Sequence, residues 1–298
     1  MRRVNILTIH QEAANAFRRQ SPQVREDGAV LWKDLAFFFN VEVQPTDLVV
    51  AWDFPPNNIP VAVGSRKQLI HIATESWPDR YPIDFLKQFG VVVSQHPRHA
   101  DYDGIWVLNH GCLEWWYGVR GRAPRQVAMD WRGLLYSPTK TNQRISVITS
   151  TLNNLPGHIL RNSFIEKLQA SNLPIDFFGF GRREIGDKVE GLAHYPYHIA
   201  MENTFMDYYW TEKLADPVLA ECFVFYAGCT NVQLFFDKKS IMTIDINDPA
   251  GSIKKIQRAL AERVYEKNLA IIKQNKKQLM DEQNIYHFIW RLVRDCQL

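Results

Sequence analysis

Glutamate, asparagine, threonine and lysine are concentrated in the segment "AMENTFMDYYWTEKL". Glu202 and Asn203 close one apolar run, and Thr211, Glu212 and Lys213 open the next. Because threonine is a preferred N-cap residue, a helix is predicted to begin at Glu212. A lysine is a point charge for a phosphate group, and a helix N-terminus offers amide donors to the same group. These residues lead to the hypothesis of a nucleotide-sugar site.

Arginine and carboxylate candidates for the same chemistry lie elsewhere in the chain. Arg161 is near the start of a helix predicted over 159–171, where an arginine by itself is usually a surface charge, although its guanidinium can hold phosphate oxygens in a bidentate fork. When a nucleoside diphosphate departs without a metal ion, cations and helix amides must neutralise its growing charge. Glu75 and Asp53 each follow an apolar run, and a carboxylate is a usual acceptor for the proton of an attacking hydroxyl group.

The composition is that of a globular protein and argues against several functional classes. The 298 residues are 46% hydrophobic and 22% charged, with a formal net charge of +3, which does not favour nucleic-acid binding. The four cysteines form no Cys-x-x-Cys pair, so neither a zinc site nor a disulfide framework is indicated. No apolar run approaches the roughly 20 residues of a membrane span. The start, "MRRVNILTIH", is predicted to be a strand rather than a secretory signal.

The elements that would position the candidate side chains alternate between short apolar runs and helical stretches, which predicts an α/β fold with parallel sheets. Candidate strands in the first half are at 4–9, 47–52, 68–73, 90–94 and 104–108. A second series follows at 145–150, 175–180, 197–202, 222–228 and 241–246. Doubly wound sheets bind ligands outside the carboxyl ends of their strands, so residues just after strands are expected to form the site.

The last part of the chain is predicted to be helical. In "NIYHFIWRLVRDC", apolar residues recur at helical spacing and form one stripe: Ile285, Phe288, Ile289, Leu292, Val293 and Cys296. A basic, aromatic helix of this kind can lie on a membrane surface, but docking against the protein itself is favoured. The segment 135–144 is polar and contains a proline, so it is predicted to be a linker.

The stretch "YPYHIAMENTFMDYYWTEKL" resembles the donor-site signature of the α1,3-fucosyltransferases, glycosyltransferase family ten. That signature runs from an aromatic-rich strand through Phe-Glu-Asn and a short spacer to Tyr-x-Thr-Glu-Lys. Here Met201 takes the place of the phenylalanine, and "ECFVFYAG" takes the place of a Val-Pro-Val-x-x-Gly run. "LRNSFIEKL" resembles the arginine-bearing helix of the family, and "IATESWPDRYP" resembles the turn with its catalytic base. The resemblance extends over 145–247 and, more loosely, over 68–94.

The resemblance implies a two-domain GT-B-type enzyme and a role for each candidate residue. It places a diphosphate at Arg161 and Lys213 and a ribose at Glu212. The other predicted donor-site residues are Glu202, Asn203, Tyr209 and Thr211. Glu75 is implied to be the general base, which gives a single displacement with inversion, and Asp53 is the reserve candidate.

The resulting prediction is an α/β, GT-B-type chain with two facing Rossmann-like domains, parallel sheets and a C-terminal helical segment. An acceptor-binding domain is expected over 1–143, a donor-binding domain over 144–275, and a helix that packs back toward the first domain over 276–298. The predicted reaction transfers L-fucose from GDP-fucose to a glycan hydroxyl, with an acceptor that contains N-acetylglucosamine. No cofactor and no metal ion are expected. The predicted partners are the nucleotide-sugar donor and the glycan acceptor, in the cytoplasm and at most peripheral to a membrane.

Two other functions are compatible with the sequence. Because the region after Glu221 departs from the family pattern, the donor could be another nucleotide-sugar. The chain could also be a catalytically silent carbohydrate-binding protein of the same fold. Asp101 and Asp103 form an Asp-x-Asp triplet that can chelate a metal ion, but the triplet precedes its strand, which favours a loop. Trp115 and Trp116 could stack on a sugar ring, although paired tryptophans are more often packing residues.

Overall fold

The structure, a computed structural model, describes residues 1–56, 63–121 and 124–298. The chain divides into two compact units. Unit 1 comprises Met1–Glu114 and Glu282–Leu298, and unit 2 comprises Trp115–Asp281. Each unit has its own sheet and its own apolar core.

The described residues of unit 1 form a sheet of seven strands with helices packed against it. The strands are β1 (Arg2–Leu7), β2 (Val30–Trp32), β3 (Leu35–Phe39), β4 (Leu48–Trp52), β5 (Leu69–Ile72), β6 (Val91–Ser94) and β7 (Ile105–Leu108). The helices are α1 (Gln11–Arg18), α2 (Ile83–Leu86) and α10 (Ile285–Asp295). The order is β2-β3-β1-β4-β5-β6-β7, in which β2 and β3 are antiparallel and the other pairs are parallel. β4 is apolar and buried throughout because both faces of a parallel sheet are covered.

In the part of unit 2 that the structure describes, five parallel strands form the main sheet. They are β10 (Ile145–Ile148), β11 (Ile175–Phe178), β12 (Tyr197–Met201), β13 (Phe223–Ala227) and β14 (Ile241–Thr243), in the order β11-β10-β12-β13-β14. A small antiparallel pair is formed by β8 (Val119–Arg120) and β9 (Gln126–Val127). The helices are α3 (Trp131–Leu135), α4 (Pro156–Gln169), α5 (Val189–Leu192), α6 (Glu212–Leu219), α7 (Pro249–Ala261), α8 (Val264–Lys267) and α9 (Leu269–Glu282).

The strand positions follow the sequence prediction, and two antiparallel pairs were not predicted. Every predicted strand has a counterpart, although several observed strands end earlier, as β1 does at Leu7. The unpredicted pairs are β2 with β3 and β8 with β9. Because β2, β8 and β9 are only two or three residues long, they carry too few positions for a periodic pattern to show.

The division between the units falls earlier than the predicted boundary at 143/144. Trp115 and Leu134 are buried in a core of unit 2, so residues 115–143 pack with the second half of the chain. The segment predicted as a linker is anchored there, because the Lys140 ammonium donates to three backbone carbonyl groups of unit 2. Leu279 is buried in the same core, so unit 2 extends beyond the predicted end at 275.

The C-terminal helix α10 packs on the core of unit 1. The buried members of its apolar stripe are Ile285, Phe288, Ile289 and Leu292. Their cluster includes Phe37 of β3 and Phe17 of α1. The apolar face of the helix is therefore covered by protein. Throughout the described residues, no helix combines the length and hydrophobicity that crossing a membrane requires.

Candidate active site

A cavity of about 540 Å³ lies in unit 2 at the carboxyl ends of β10, β11 and β12. The chain runs from β10 to β11 on one side and then to β12 on the other, so the cavity is at a topological switch point. Residues that follow the strands contribute to its wall: Thr149, Ser150, Gly179, Phe180 and Asn203. The first two turns of α4 contribute His158 and Arg161, and the first turn of α6 contributes Glu212 and Lys213.

The predicted donor-site residues fall into two groups. Those that line the cavity are Arg161, Asn203, Glu212 and Lys213. Those that are buried behind its described lining are Glu202, Tyr209 and Thr211. All three members of the second group interact with Lys213 of the first group.

Glu202, immediately after β12, is fully buried and holds the start of α6. One carboxylate oxygen accepts a hydrogen bond from the Thr211 amide at 2.9 Å, and the other accepts from the Thr211 hydroxyl at 2.8 Å. The Lys213 ammonium is 3.6 Å from the same carboxylate. Burial raises the pKa of Glu202, and this effect is opposed by Lys213 and by the bonds from Thr211. The glutamate thereby orients the neighbouring cation.

Helix α6 begins at Glu212, as predicted, with Thr211 as its N-cap. The Thr211 hydroxyl oxygen accepts from the Lys213 amide at 3.2 Å and satisfies one of the otherwise unpaired donors of the first turn. This cap fixes the direction in which the Glu212 and Lys213 side chains leave the backbone.

Glu212 lies between two lysines. Its carboxylate is 3.3 Å from the Lys213 ammonium and 3.6 Å from the Lys188 ammonium. Burial alone would raise the pKa of Glu212, but the two lysines outweigh it and hold the pKa at about 2. The carboxylate is therefore ionised near neutral pH and accepts hydrogen bonds. In the same way, burial lowers the pKa of Lys213 less than Glu212 and Glu202 raise it, so the ammonium stays charged.

Arg161 is a buried guanidinium with incomplete hydrogen bonding. It donates to the Asn203 side-chain oxygen at 2.5 Å and to the Ser150 hydroxyl at 3.4 Å. Among the described residues, its Nε has no hydrogen-bond partner. Burial and the nearby charge of Arg182 lower the pKa of Arg161. Because a buried charge is costly without a counter-charge, this arrangement favours an anionic ligand.

Three further side chains of this region were not found from the sequence. Lys188 lines the cavity and bonds to the buried Asp216 at 2.6 Å. His158 also lines the cavity, and burial together with Arg161 and Lys213 lowers its pKa, so the imidazole is neutral near neutral pH. Arg182 adds positive potential at Arg161. Neither Lys188 nor His158 belongs to a recognisable motif, whereas Arg182 lies in the glycine-bearing segment "FGFGRR", which the sequence predicts to be a loop beside the nucleotide.

In unit 1, Glu75 and Asp53 follow β5 and β4, as predicted, but their surroundings differ. Glu75 is half-buried in the loop after β5. Asp53 is fully buried, and its carboxylate accepts from Arg80 at 2.8 and 3.1 Å and from the Tyr81 hydroxyl at 2.6 Å. It also lies 2.8 Å from Nε2 of His10, whose side chain is 45% exposed. The carboxylate of Asp53, the reserve candidate for the base, is therefore already hydrogen-bonded to several donors. It orients the exposed imidazole of His10, which the sequence analysis did not single out.

Replacing Asp53 by asparagine is expected to destabilise the protein by about 3 kcal/mol, because Arg80 loses its buried counter-charge. Burial would raise the pKa of Asp53, but Arg80, Tyr81 and His10 lower it below its ordinary value. The stabilisation is therefore complete above the ordinary pKa and is lost as the pH falls through the lowered one. Urea unfolding of the full chain between about pH 3 and pH 7 measures both effects.

The matched control for Asp53→Asn is Asp103→Asn, because Asp103 is also paired with an arginine of unit 1 but is 73% exposed. Screening by water leaves such a surface pair with little effect, so no measurable change in the urea midpoint is expected. Equal effects of the two substitutions, or an unchanged acid dependence in Asp53→Asn, would contradict the assignment of Asp53 as a buried structural carboxylate.

The remaining sequence candidates are placed as follows. Asp103 pairs with Arg66 at 2.7 Å, and Asp101 lies 3.8 Å from His99. The described residues contain no cluster of three or more histidine, cysteine, aspartate or glutamate side chains that could hold a metal ion. Trp115 is buried in the core, as expected of a packing residue, whereas the neighbouring Trp116 lines the cavity.

Comparisons with known proteins agree on one class of fold. No model of a known protein family matches the sequence. A stretch of 104 residues, 34% of the chain, is 28% identical to a fucosyltransferase-like protein of Arabidopsis thaliana, and the match spans 20% of that protein. Crystal structures of an α1,3-fucosyltransferase with GDP-fucose and with GDP have TM-scores of 0.51 and 0.52. They cover 96% of this chain and 92% of theirs, at 16% and 15% identity.

The chain has the fold of the α1,3-fucosyltransferases. The predicted α/β, GT-B-type fold with a helical C-terminal segment is confirmed. The predicted resemblance to the α1,3-fucosyltransferases is confirmed as well. The sequence match is to a fucosyltransferase-like protein, and the two crystal structures are of an α1,3-fucosyltransferase.

Proposed function

We propose that the chain is an inverting, metal-independent glycosyltransferase that transfers L-fucose from GDP-fucose to a glycan hydroxyl. The acceptor in this proposal contains N-acetylglucosamine. The observation that carries it is the presence of Arg161 and Lys213, from separate helices, in one cavity at the switch point of a parallel sheet. The fold shared with an α1,3-fucosyltransferase crystallised with GDP-fucose supports the same donor.

The donor is held by unit 2 in this proposal. Arg161 and Lys213 bind the diphosphate, and they neutralise the charge that grows on it as the bond to the sugar breaks. The N-termini of α4 and α6 add amide donors to the same anion. Glu212 is ionised and accepts hydrogen bonds from the two ribose hydroxyl groups.

The other donor-site residues have supporting roles in the proposal. Asn203 lines the cavity and hydrogen-bonds near the transferred sugar or a phosphate. Glu202 and Thr211 fix the position of Lys213 through the contacts described above. Tyr209 lies behind the wall, where its hydroxyl interacts electrostatically with Lys213. In the proposal the Tyr209 hydroxyl also donates to a phosphate, which requires that part of the wall to rearrange.

Unit 1 supplies the acceptor side of the reaction in this proposal. Glu75 takes the proton from the acceptor hydroxyl as its oxygen forms a bond to the anomeric carbon of fucose. The bond between that carbon and the diphosphate oxygen breaks, and GDP leaves with the electron pair. A single displacement of this kind inverts the anomeric configuration. The charge on GDP is met by side chains, so no metal ion is needed.

Calorimetry with GDP-fucose in the presence of EDTA tests donor binding, and GDP release on an array of glycan acceptors tests transfer. We expect binding and acceptor-dependent release without added metal. Absence of both would refute the proposal, and activity that returned only with manganese would refute the metal-independent mechanism. Parallel measurements with UDP- and dTDP-sugars distinguish a different donor, and donor binding without release on any acceptor indicates a silent carbohydrate-binding protein.

A further inference from the structure

Trp116 and Arg125 form a cation–π pair in the wall of the cavity. The Arg125 guanidinium lies over the Trp116 ring, 3.8 Å from its centre, and both residues line the cavity. Trp116 is half-buried and Arg125 is exposed. The indole ring and the guanidinium group are each planar, and nucleobases stack both on aromatic rings and on guanidinium planes.

Hydrogen bonds tie the Trp116 loop to the Glu212 end of the cavity. The buried carboxylate of Asp216, one turn into α6, accepts from the Trp116 amide at 2.8 Å. The same carboxylate accepts from Lys188 at 2.6 Å, and Lys188 is 3.6 Å from Glu212. The loop is further held by Gly121, whose amide donates to the carbonyl of Gly186 at 2.9 Å.

A second ring that could accept a nucleobase lies near Arg161. Phe180 lines the cavity and is 43% exposed. Its carbonyl accepts from the Thr151 amide at 3.0 Å, in the loop where the Ser150 hydroxyl accepts from Arg161. Trp116 is therefore connected through Asp216 and Lys188 to Glu212, whereas Phe180 is connected through the 150–151 loop to Arg161.

Trp116 and Phe180 are both candidates for stacking on a nucleobase, and the covalent structure of a nucleoside diphosphate distinguishes between them. The base and the diphosphate are attached to different carbons of the ribose and extend from it in different directions. With the ribose at Glu212 and the diphosphate at Lys213 and Arg161, the base must extend away from Arg161. We propose that the Trp116–Arg125 pair is the stacking platform for the nucleobase of the donor. This inference rests on the proposed function, which assigns the ribose to Glu212.

Calorimetry with GDP and with inorganic pyrophosphate tests the platform in the wild type, Trp116→Ala, Trp116→Phe and Phe180→Ala. We expect Trp116→Ala to weaken GDP binding about tenfold, because loss of base stacking is a typical effect of that size. Trp116→Phe should keep most of the affinity, since a ring remains. Pyrophosphate binding should be the same in all four proteins, and Phe180→Ala should bind GDP as the wild type does.

A second readout is tryptophan fluorescence, which GDP should quench in the wild type and quench less in Trp116→Phe. The platform is refuted if Trp116→Ala binds GDP with wild-type affinity, or if its affinities for GDP and for pyrophosphate fall equally. It is also refuted if the affinity for GDP falls in Phe180→Ala instead. Failure of the proposed function gives a different result, namely GDP binding that depends on Trp116 without fucose transfer to any acceptor. If the wild type binds no GDP, both proposals are refuted.

Discussion

Replacing Arg161 by methionine is expected to lower kcat for transfer by about a hundred- to a thousandfold, because one preorganised donor to the developing charge is lost. The substitution should not destabilise the protein. Arg161 is buried, is hydrogen-bonded to the neutral Asn203 and Ser150, and has an unpartnered Nε among the described residues. Removing a buried charge that lacks a close counter-charge is neutral or stabilising. Single-turnover kinetics and urea unfolding measure the two effects.

The matched control for Arg161→Met is Lys167→Met, which removes one positive charge from the exposed face of the same helix. It should leave both kcat and the urea midpoint nearly unchanged. If Arg161→Met lowered the stability strongly while transfer stayed normal, the arginine would be a structural residue. The leaving-group role assigned to it would then be wrong.

Replacing Glu75 by glutamine is expected to lower kcat by about a hundred- to ten-thousandfold, because the proton acceptor for the attacking hydroxyl is lost. Affinity for GDP should be unchanged, since the proposed donor residues all belong to unit 2. Asp79→Asn is the control, because Asp79 is an exposed acid of the same loop region. Initial rates with saturating acceptor, together with calorimetry of GDP, separate the catalytic effect from binding.

Full transfer activity in Glu75→Gln would exclude Glu75 as the base. The next group to test would be His10, whose exposed imidazole is oriented by the buried Asp53 at 2.8 Å. A histidine held by a carboxylate is a common general base, and it would give a pH–rate profile that differs from that of a carboxylate. The pH dependence of kcat therefore discriminates between the two candidates.

Much of the donor-site prediction depended on local sequence, namely on where a strand ends and where a helix begins. Asn203 follows β12 and Lys213 opens α6, and both line the cavity. A strand end and a helix start are encoded by adjacent residues, through an apolar run in one case and a threonine cap in the other. Arg161 was found only because the resemblance covered its helix, since 42 residues separate it from Asn203.

Trp116 was considered only as a surface for a sugar ring, and the places of Lys188 and Arg125 in the cavity wall were not predicted, because they arise from contacts between distant segments. Asp216 joins the Trp116 amide, 100 residues away, to Lys188, 28 residues away. Neither the periodicity of the sequence nor the spacing of its residues indicates that Asp216 contacts both segments. For the same reason the predicted boundary at 143/144 differs from the division between the units, because the polarity of 135–144 does not show that the Lys140 ammonium is bound inside unit 2.

The sequence by itself determined the α/β class, the positions of the main strands and the residue at which α6 begins. Those features follow from side-chain hydrophobicity and backbone capping within a few neighbouring residues. Tertiary structure alone decided which polar residues line the cavity and which support it from behind. Glu202 and Asn203 are adjacent, yet Glu202 is buried against Thr211 while Asn203 lines the cavity. Their different surroundings are set by the elements packed around the end of β12, because a buried carboxylate requires donors that only a second segment can supply.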